Sequence, residues 1–224
     1  MKLGRPRLHL RETDSTNDRA RELAAAGAPH GTLVTAASQS AGRGRQGRTW
    51  SAPPGHALLM SLVLRQTHPL LPLAAAVAVA DAVGVDAAIK WPNDVLVGGR
   101  KVSGILAEGR PQEGWAVLGV GVNVAVRIED LPPELHATAA TLGRQPADVE
   151  AFLADLLAAL ERALTLPAAE LLDAWRARDA LLGRPIAWAH GSGTAGGIDG
   201  EGRLVVELPD GGRTTLEAGE VHLG

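Results

Sequence analysis

The chain has 224 residues, a formal net charge of -3, 46% hydrophobic residues and no cysteine. The length supports one sizeable core with a small appendage, and the absence of cysteine excludes disulfides, thiolate metal sites and thiol nucleophiles. Tyrosine is absent and phenylalanine occurs once, so aliphatic side chains must fill the core, and the five tryptophans are the few large rings available for stacking. Residues 1–6 lack the apolar centre of a signal peptide, and the Ala/Val-rich run at 70–85 is cut by Pro72, Asp81 and Gly84. A cytoplasmic protein with no membrane partner is expected.

In chain order, residues 8–10 read as a short strand. Asp14, Ser15, Thr16 and Asn17 then offer N-cap groups for a helix at 18–26, with Gly27 where a left-handed C-terminal residue is expected. Residues 32–36 are β-prone and lead to Gln39, whose amide both donates and accepts hydrogen bonds. Residues 57–64 read as a buried strand, 71–83 as an Ala-rich core helix, and 88–91 as a strand ended by Pro92, which cannot donate to a ladder. Residues 95–97, Gly98, Gly99 and the segment from Lys101 have the form of a hairpin with a two-glycine turn. Strict alternation would put Lys101, Ser103 and Ile105 on one face, opposite Val102 and Gly104.

Another apolar strand follows at 116–124, with Gly119 and Gly121 on one face as a bare strip. Such a strip serves a bulge or close packing, or leaves room for a flat ligand. A short helical turn is expected near 138–142. Helices at 148–164 and 168–181 carry apolar side chains at helical spacing, with Trp175 as a core residue. Gly183-Arg184-Pro185 marks a boundary, dividing the chain into units 1–182 and 183–224. The second unit alternates short strands with Gly-rich turns in the manner of a small β-barrel.

Between these elements lie three motifs. Residues 42–48 interleave Gly42, Gly44 and Gly47 with Arg43, Arg45 and Arg48, and Trp50 follows. Glycine disfavours regular structure here, so this is a loop, and its arginines can fork onto carboxylate or phosphate oxygens. It reads either as a solvated or nucleic-acid-touching basic loop or as a clamp on a small anion. The slight negative net charge weighs against nucleic acid. Lys90-Trp91-Pro92-Asn93-Asp94 comes next, then Arg100-Lys101-Val102-Ser103-Gly104-Ile105-Leu106 and Gly119-Val120-Gly121-Val122-Asn123. Lys101 alone could be a guard on a sheet edge.

Taken together and in this order, the motifs resemble those of the biotin protein ligases. The resemblance implies an α+β fold, a mixed β-sheet flanked by helices of the class II synthetase-like, biotin/lipoate ligase kind, with a small C-terminal SH3-like β-barrel. It implies activation of biotin by ATP, with Mg²⁺ entering alongside the nucleotide and no metal site built by the protein. The acceptor is a lysine on the biotin carboxyl carrier protein of acetyl-CoA carboxylase. Lys101, Arg45 and Arg43 would be catalytic. Ser15, Thr16, Asn17, Gln39, Arg43, Gly44, Arg45, Lys101 and Gly104 would hold biotin, and Arg43, Arg45, Arg48, Trp50, Asn93, Asp94, Lys101 and Asn123 the nucleotide. For Ser15, Thr16 and Asn17 helix capping is the plainer reading, and the two roles are compatible. A lipoate-ligase-like acyl-adenylate enzyme is the alternative. Only about a dozen residues precede the Ser-Thr-Asn segment, too few for a helix-turn-helix, so no DNA partner is expected, and the chain is expected as a monomer or weak homodimer.

Overall fold

A computed structural model describes residues 2–66, 68–84, 86–217, 219 and 221–223. Met1, Val85 at the end of the Ala/Val run, and Ala218, Glu220 and Gly224 of the expected C-terminal unit lie outside the described residues. The main sheet contains β1 (Arg7–Thr13), β2 (Leu33–Gln39), β3 (Leu58–Leu64), β4 (Ala87–Lys90), β5 (Asp94–Val97), β6 (Arg100–Arg110) and β7 (Trp115–Val122). Their order is β1-β2-β3-β7-β6-β5-β4; β1 and β2 run parallel and every other neighbouring pair antiparallel, so the sheet is mixed as expected.

Helix α1 (Thr16–Ala25) covers one face through Ala20 and Ala24, which meet Val34, Val63 and Val117. The opposite face carries the larger core with α2 (Leu71–Val83), α3 (Val149–Ala163) and α4 (Ala168–Arg176). The α2 stretch from Leu73 to Ala80 is buried throughout. Its alanines let the helix axis approach the sheet closely, and Leu62, Leu118, Phe152 and Trp175 fill the remaining space.

Two expected helices need correction. α4 stops at Arg176 instead of 181 because residues 178–180 are drawn to the edge of β4, where Ile89 N donates to Arg178 O and Ala180 N to Ile89 O. The helical turn expected near 138–142 is extended chain. Lys101 N donates to Thr138 O, Ala140 N to Lys101 O and Leu142 N to Asn123 O, and these bonds replace helical ones.

The C-terminal part forms a second, antiparallel sheet: β8 (Pro185–Trp188), β9 (Gly191–Ile198), β10 (Leu204–Glu207), β11 (Arg213–Leu216) and β12 (His222–Leu223), in the order β11-β10-β9-β8-β12. It is not the closed barrel expected from the strand pattern. Among the described residues β11 and β12 remain edges, and β12, only two residues long, cannot close the ring. One face is covered by the main body instead. Ile186, Ile198, Leu204 and Val206 join the large core, and the buried Trp91 indole donates to Gly202 O at 3.1 Å. Among the described residues no helix is long and apolar enough to cross a membrane.

Asp179 sits where the chain crosses from α4 to the second sheet. Burial holds its carboxyl above the ordinary carboxylate range, against the Leu181 and Leu182 amides that lower it. The folded state therefore binds this proton more tightly than the unfolded chain. The contribution is complete below the unfolded pKa and is lost as pH rises through the folded value. Asp179→Asn cannot ionise and should be spared that loss, so the melting temperature of the native chain relative to the variant should fall as pH is raised from about 4. Thermal melts of the two proteins across that range check the sign.

Candidate active site

A cavity of about 510 Å³ opens on the α1 face of the main sheet, and every site residue expected from the sequence lines it. Ser15, Thr16, Asn17 and Gln39 come from the start of α1 and the end of β2. Arg43, Gly44, Arg45, Arg48 and Trp50 come from the loop. Asn93, Asp94, Lys101, Gly104 and Asn123 come from β5, the turn before it, β6 and the end of β7. Gly219, Val221 and His222 of the C-terminal part also reach the wall, a contribution that no motif in the sequence signalled.

The polar end departs from simple capping. Ser15 is the N-cap residue of α1 by position, yet its side chain makes no cap hydrogen bond. Thr16 is held by Gln39, whose Oε1 accepts from Thr16 N at 2.7 Å and from Thr16 Oγ1 at 3.0 Å. Ser61 Oγ, fully buried on β3, lies 2.6 Å from Asn17 Oδ1 and 2.8 Å from Thr16 Oγ1. Asn17 Nδ2 donates to Glu108 Oε2 at 2.9 Å. Ser61 and Glu108 were not singled out in the sequence. A lone serine in an apolar strand and a glutamate near a strand end give no local signal.

The bare strip on β7 is already occupied. A Cβ at Gly119 would fall within the Asn17 amide, and one at Gly121 would stand 2.6 Å from Trp50 Cε2. Gly104, paired with Gly121 across the ladder, faces Trp50 at 3.0 Å in the same sense. The glycines therefore admit an indole ring and an amide from the protein itself. Trp50 Nε1 is buried without a hydrogen-bond partner.

Lys101 is not on the face that strict alternation assigned. The β5–β6 ladder shifts register, with Val95 opposite Ser103 but Leu96 opposite Lys101, so β6 carries an extra residue there. The bulge turns Lys101 over Gly104, where a Cβ would be 3.2 Å from Nζ, while Ser103 and Ile105 are buried. Lys101 Nζ stands 2.7 Å from Asp94 Oδ1 and 5.8 Å from the Trp50 ring centre.

The loop is ordered by its own backbone and by its side chains. Gly44 N donates to Arg48 O and Trp50 N to Gly42 O, with Gln46 at φ 54° and Gly47 at φ 75° making the turn. Arg45 Nη1 donates to Asn93 Oδ1 at 3.2 Å, and Asn93 Nδ2 to Ile105 O at 2.9 Å. Arg43, expected to face a bound anion, is held by protein carboxylates: Nη1 donates to Asp18 Oδ1 at 2.8 Å and Nη2 to Glu108 Oε1 at 3.0 Å. Asn123, expected to meet the nucleotide, is buried. Its Nδ2 donates to Ala140 O at 2.9 Å, and its Oδ1 has no hydrogen-bond partner. Among the described residues no group of three or more His, Cys, Asp or Glu side chains could hold a metal ion.

Chemically, the cavity combines hydrogen-bonding side chains of both senses at one end with a lysine and arginines at the other. Such a site can hold a neutral amide-like ring and stabilise negative charge.

Comparison with known proteins gives a consistent picture. The model of the Biotin/lipoate A/B protein ligase family matches residues 10–124. The chain is 39% identical to the biotin--[acetyl-CoA-carboxylase] ligase of Paracoccus denitrificans, over 96% of this chain and 99% of that protein. It is 35% identical to the corresponding ligase of Mycobacterium tuberculosis, over 95% and 87%. Among solved structures, the biotin protein ligase from Aquifex aeolicus in complex with biotin and ATP superposes with a TM-score of 0.83 at 26% identity, covering 98% of this chain and 99% of that one.

The contact between Trp50 and the strip can be tested directly. Gly121→Ala should displace the indole, raising acrylamide quenching of tryptophan emission and lowering stability by about 1–3 kcal/mol, the usual cost of overpacking. In a Trp50→Phe background the same substitution should leave quenching unchanged.

Proposed function

The chain belongs to the Biotin/lipoate A/B protein ligase family, and from that membership we propose that it is a biotin protein ligase, activating biotin with ATP and transferring it to a carrier lysine. The observation that carries the reading is the meeting of Lys101, Arg45 and the Ser15-to-Asn17 segment on one cavity.

A carboxylate is a poor electrophile until its oxygen is exchanged for a better leaving group. In the first half-reaction a biotin carboxylate oxygen attacks the α-phosphorus of ATP. A P–O bond forms, the bond to the β-phosphate breaks, and pyrophosphate leaves. Two anions must be brought together for this, so fixed positive charge at the meeting point lowers the barrier. Lys101 is placed for that role. It leaves Asp94, 2.7 Å away, to bridge carboxylate and α-phosphate. Arg45, oriented by Asn93, closes from the loop, and Arg48 meets the phosphate tail. The Arg43 guanidinium is already engaged by Asp18 and Glu108, so its part is to position the loop rather than to clamp the anion.

Thr16, Asn17 and Gln39 line the vitamin end with groups that match a ureido ring. A dithiolane ring makes no such hydrogen bonds and offers nothing in exchange for those these side chains already make to one another and to Ser61 and Glu108, which disfavours lipoate. Trp50 and the unpartnered Asn123 Oδ1 offer a ring face and an acceptor for adenine and its amino group. Magnesium bound with the triphosphate would screen phosphate charge, and Asp94 is the cavity carboxylate suited to help hold it, consistent with an ion that needs few protein ligands.

In the second half-reaction the carrier lysine, as the free amine, attacks the acyl carbon. The C–O bond to phosphate breaks and AMP departs, with no protein nucleophile involved. The acceptor in this reading is the biotin carboxyl carrier protein of acetyl-CoA carboxylase. Residues 183–224 are assigned to a C-terminal domain that completes the cavity through Gly219, Val221 and His222.

Lys101→Ala should lower biotinyl-AMP synthesis roughly 10²–10³-fold, the loss seen when one transition-state charge donor is removed, while the melting temperature stays near that of the native chain. Near-native synthesis, followed by pyrophosphate release, would sink the assignment. Arg45→Gly should let adenylate escape before transfer, read as biotin appearing on bystander lysines when the purified variant is incubated with an unrelated protein. Calorimetry with biotin and with lipoate separates the two substrate readings.

A further inference from the structure

Arg43 lies beside a pair of carboxylates that take no part in the bond-making steps above. Its guanidinium forks onto Glu108 through Nη2 to Oε1 at 3.0 Å and Nη1 to Oε2 at 3.5 Å, and Nη1 also reaches Asp18 Oδ1 at 2.8 Å. A second arginine, Arg21, neutralises the far side, 3.1 Å from Asp18 and 3.9 Å from Glu108. Glu108 Oε2 also accepts from Asn17 Nδ2. One carboxylate thus touches both the loop and the residue that roofs Gly119.

We infer that Glu108, aided by Asp18, is a positioning residue that latches Arg43 and so fixes the loop across the cavity. The loop's internal bonds are local, and Arg43, Arg45 and Trp50 are among the contacts that carry it to the body. Glu108 has a quarter of its side-chain surface exposed and Asp18 about a third. A forked pair at that depth is screened less than a solvated ion pair. Because the same glutamate holds Asn17, order at the vitamin end and order in the loop are coupled. A ligand that fixes Asn17 fixes the anchor of Arg43.

The latch rests on geometry alone, whereas its effect on catalysis rests on the ligase reading, so two measurements keep them apart. The first is tryptic cleavage after Arg43, Arg45 and Arg48 in the substrate-free protein. Glu108→Gln retains an acceptor for Asn17 but loses the charge, and cleavage within 43–48 should rise roughly threefold to tenfold. In the native chain added salt should speed that cleavage, and in the variant salt should have little effect. Arg43→Ala should loosen cleavage after Arg45 and Arg48 to a similar degree, and the double variant should add little to either single one. Cleavage of Glu108→Gln at the native rate would overturn the latch. So would additive effects, or faster cleavage spread over the whole chain with a lowered melting temperature. The second measurement is the half-life of biotinyl-AMP on the enzyme, which should shorten in Glu108→Gln by a similar factor. If the native chain makes no adenylate while the tryptic pattern holds, the ligase reading fails and the latch stands.

Discussion

Cations gathered on one cavity need fixed partners before an anion arrives, and that requirement organises the surroundings of this site. The chain carries a slight net negative charge, so the positive groups cannot draw on a basic surface and are matched locally. Lys101 rests on Asp94 and Arg43 on Glu108 and Asp18, while Arg45 is oriented by the neutral Asn93 amide. Each partner sits at the cavity wall or beside it, where desolvation makes an unpaired charge costly. The partners also differ in kind. Asp94 faces a lysine that an incoming anion would claim, while Arg43 has both terminal nitrogens engaged in a fork. The first contact is suited to exchange and the second to anchorage.

Space is the second constraint. The centre of the sheet would normally bury large side chains on both faces, and here it does so chiefly on the α2 face. On the α1 face Gly104, Gly119, Gly121 and Ser61 leave a shallow floor on which the Asn17 amide and the Trp50 ring lie. Apolar burial is thereby concentrated on one side, where α2 and α3 supply it. The other face is released for polar groups that would be expensive inside a core. Ser61 shows the arrangement at one residue: it is fully buried, yet bonded to two residues at the start of α1.

Much of this was legible in the sequence because the signals were local. The 71–83 helix appears with those bounds, and the two-glycine turn forms with Gly98 at φ 57° and Gly99 at φ 74°. The loop, the Lys-Trp-Pro-Asn-Asp strand end and Lys101 share one cavity, as their joint resemblance implied. What failed was non-local. The bulge that turns Lys101 over Gly104 depends on register with β5, and the extended path of 138–142 depends on a neighbouring backbone. The last five residues of the expected 168–181 helix were lost to a bridge with β4. Glu108 and Asp18 gave no signal, because their partner lies in another segment of the chain.

The same contrast separates the two sources of positive charge. The Lys101 backbone is fixed on both sides: its N–H donates to Thr138, its carbonyl accepts from Ala140, and the Asn123 amide ties Ala140 in turn. Only the side chain is left to move, which places the ammonium within a narrow arc above Gly104. The loop's own bonds close a local hairpin, and its attachment to the body includes the ends of long arginines and one indole. Such contacts break singly and at low cost compared with a sheet ladder. A site that must admit two substrates, hold a reactive anhydride and then expose it to a protein amine needs one charge that stays in place and another that can be withdrawn. The fold supplies the first from a strand and the second from a strap.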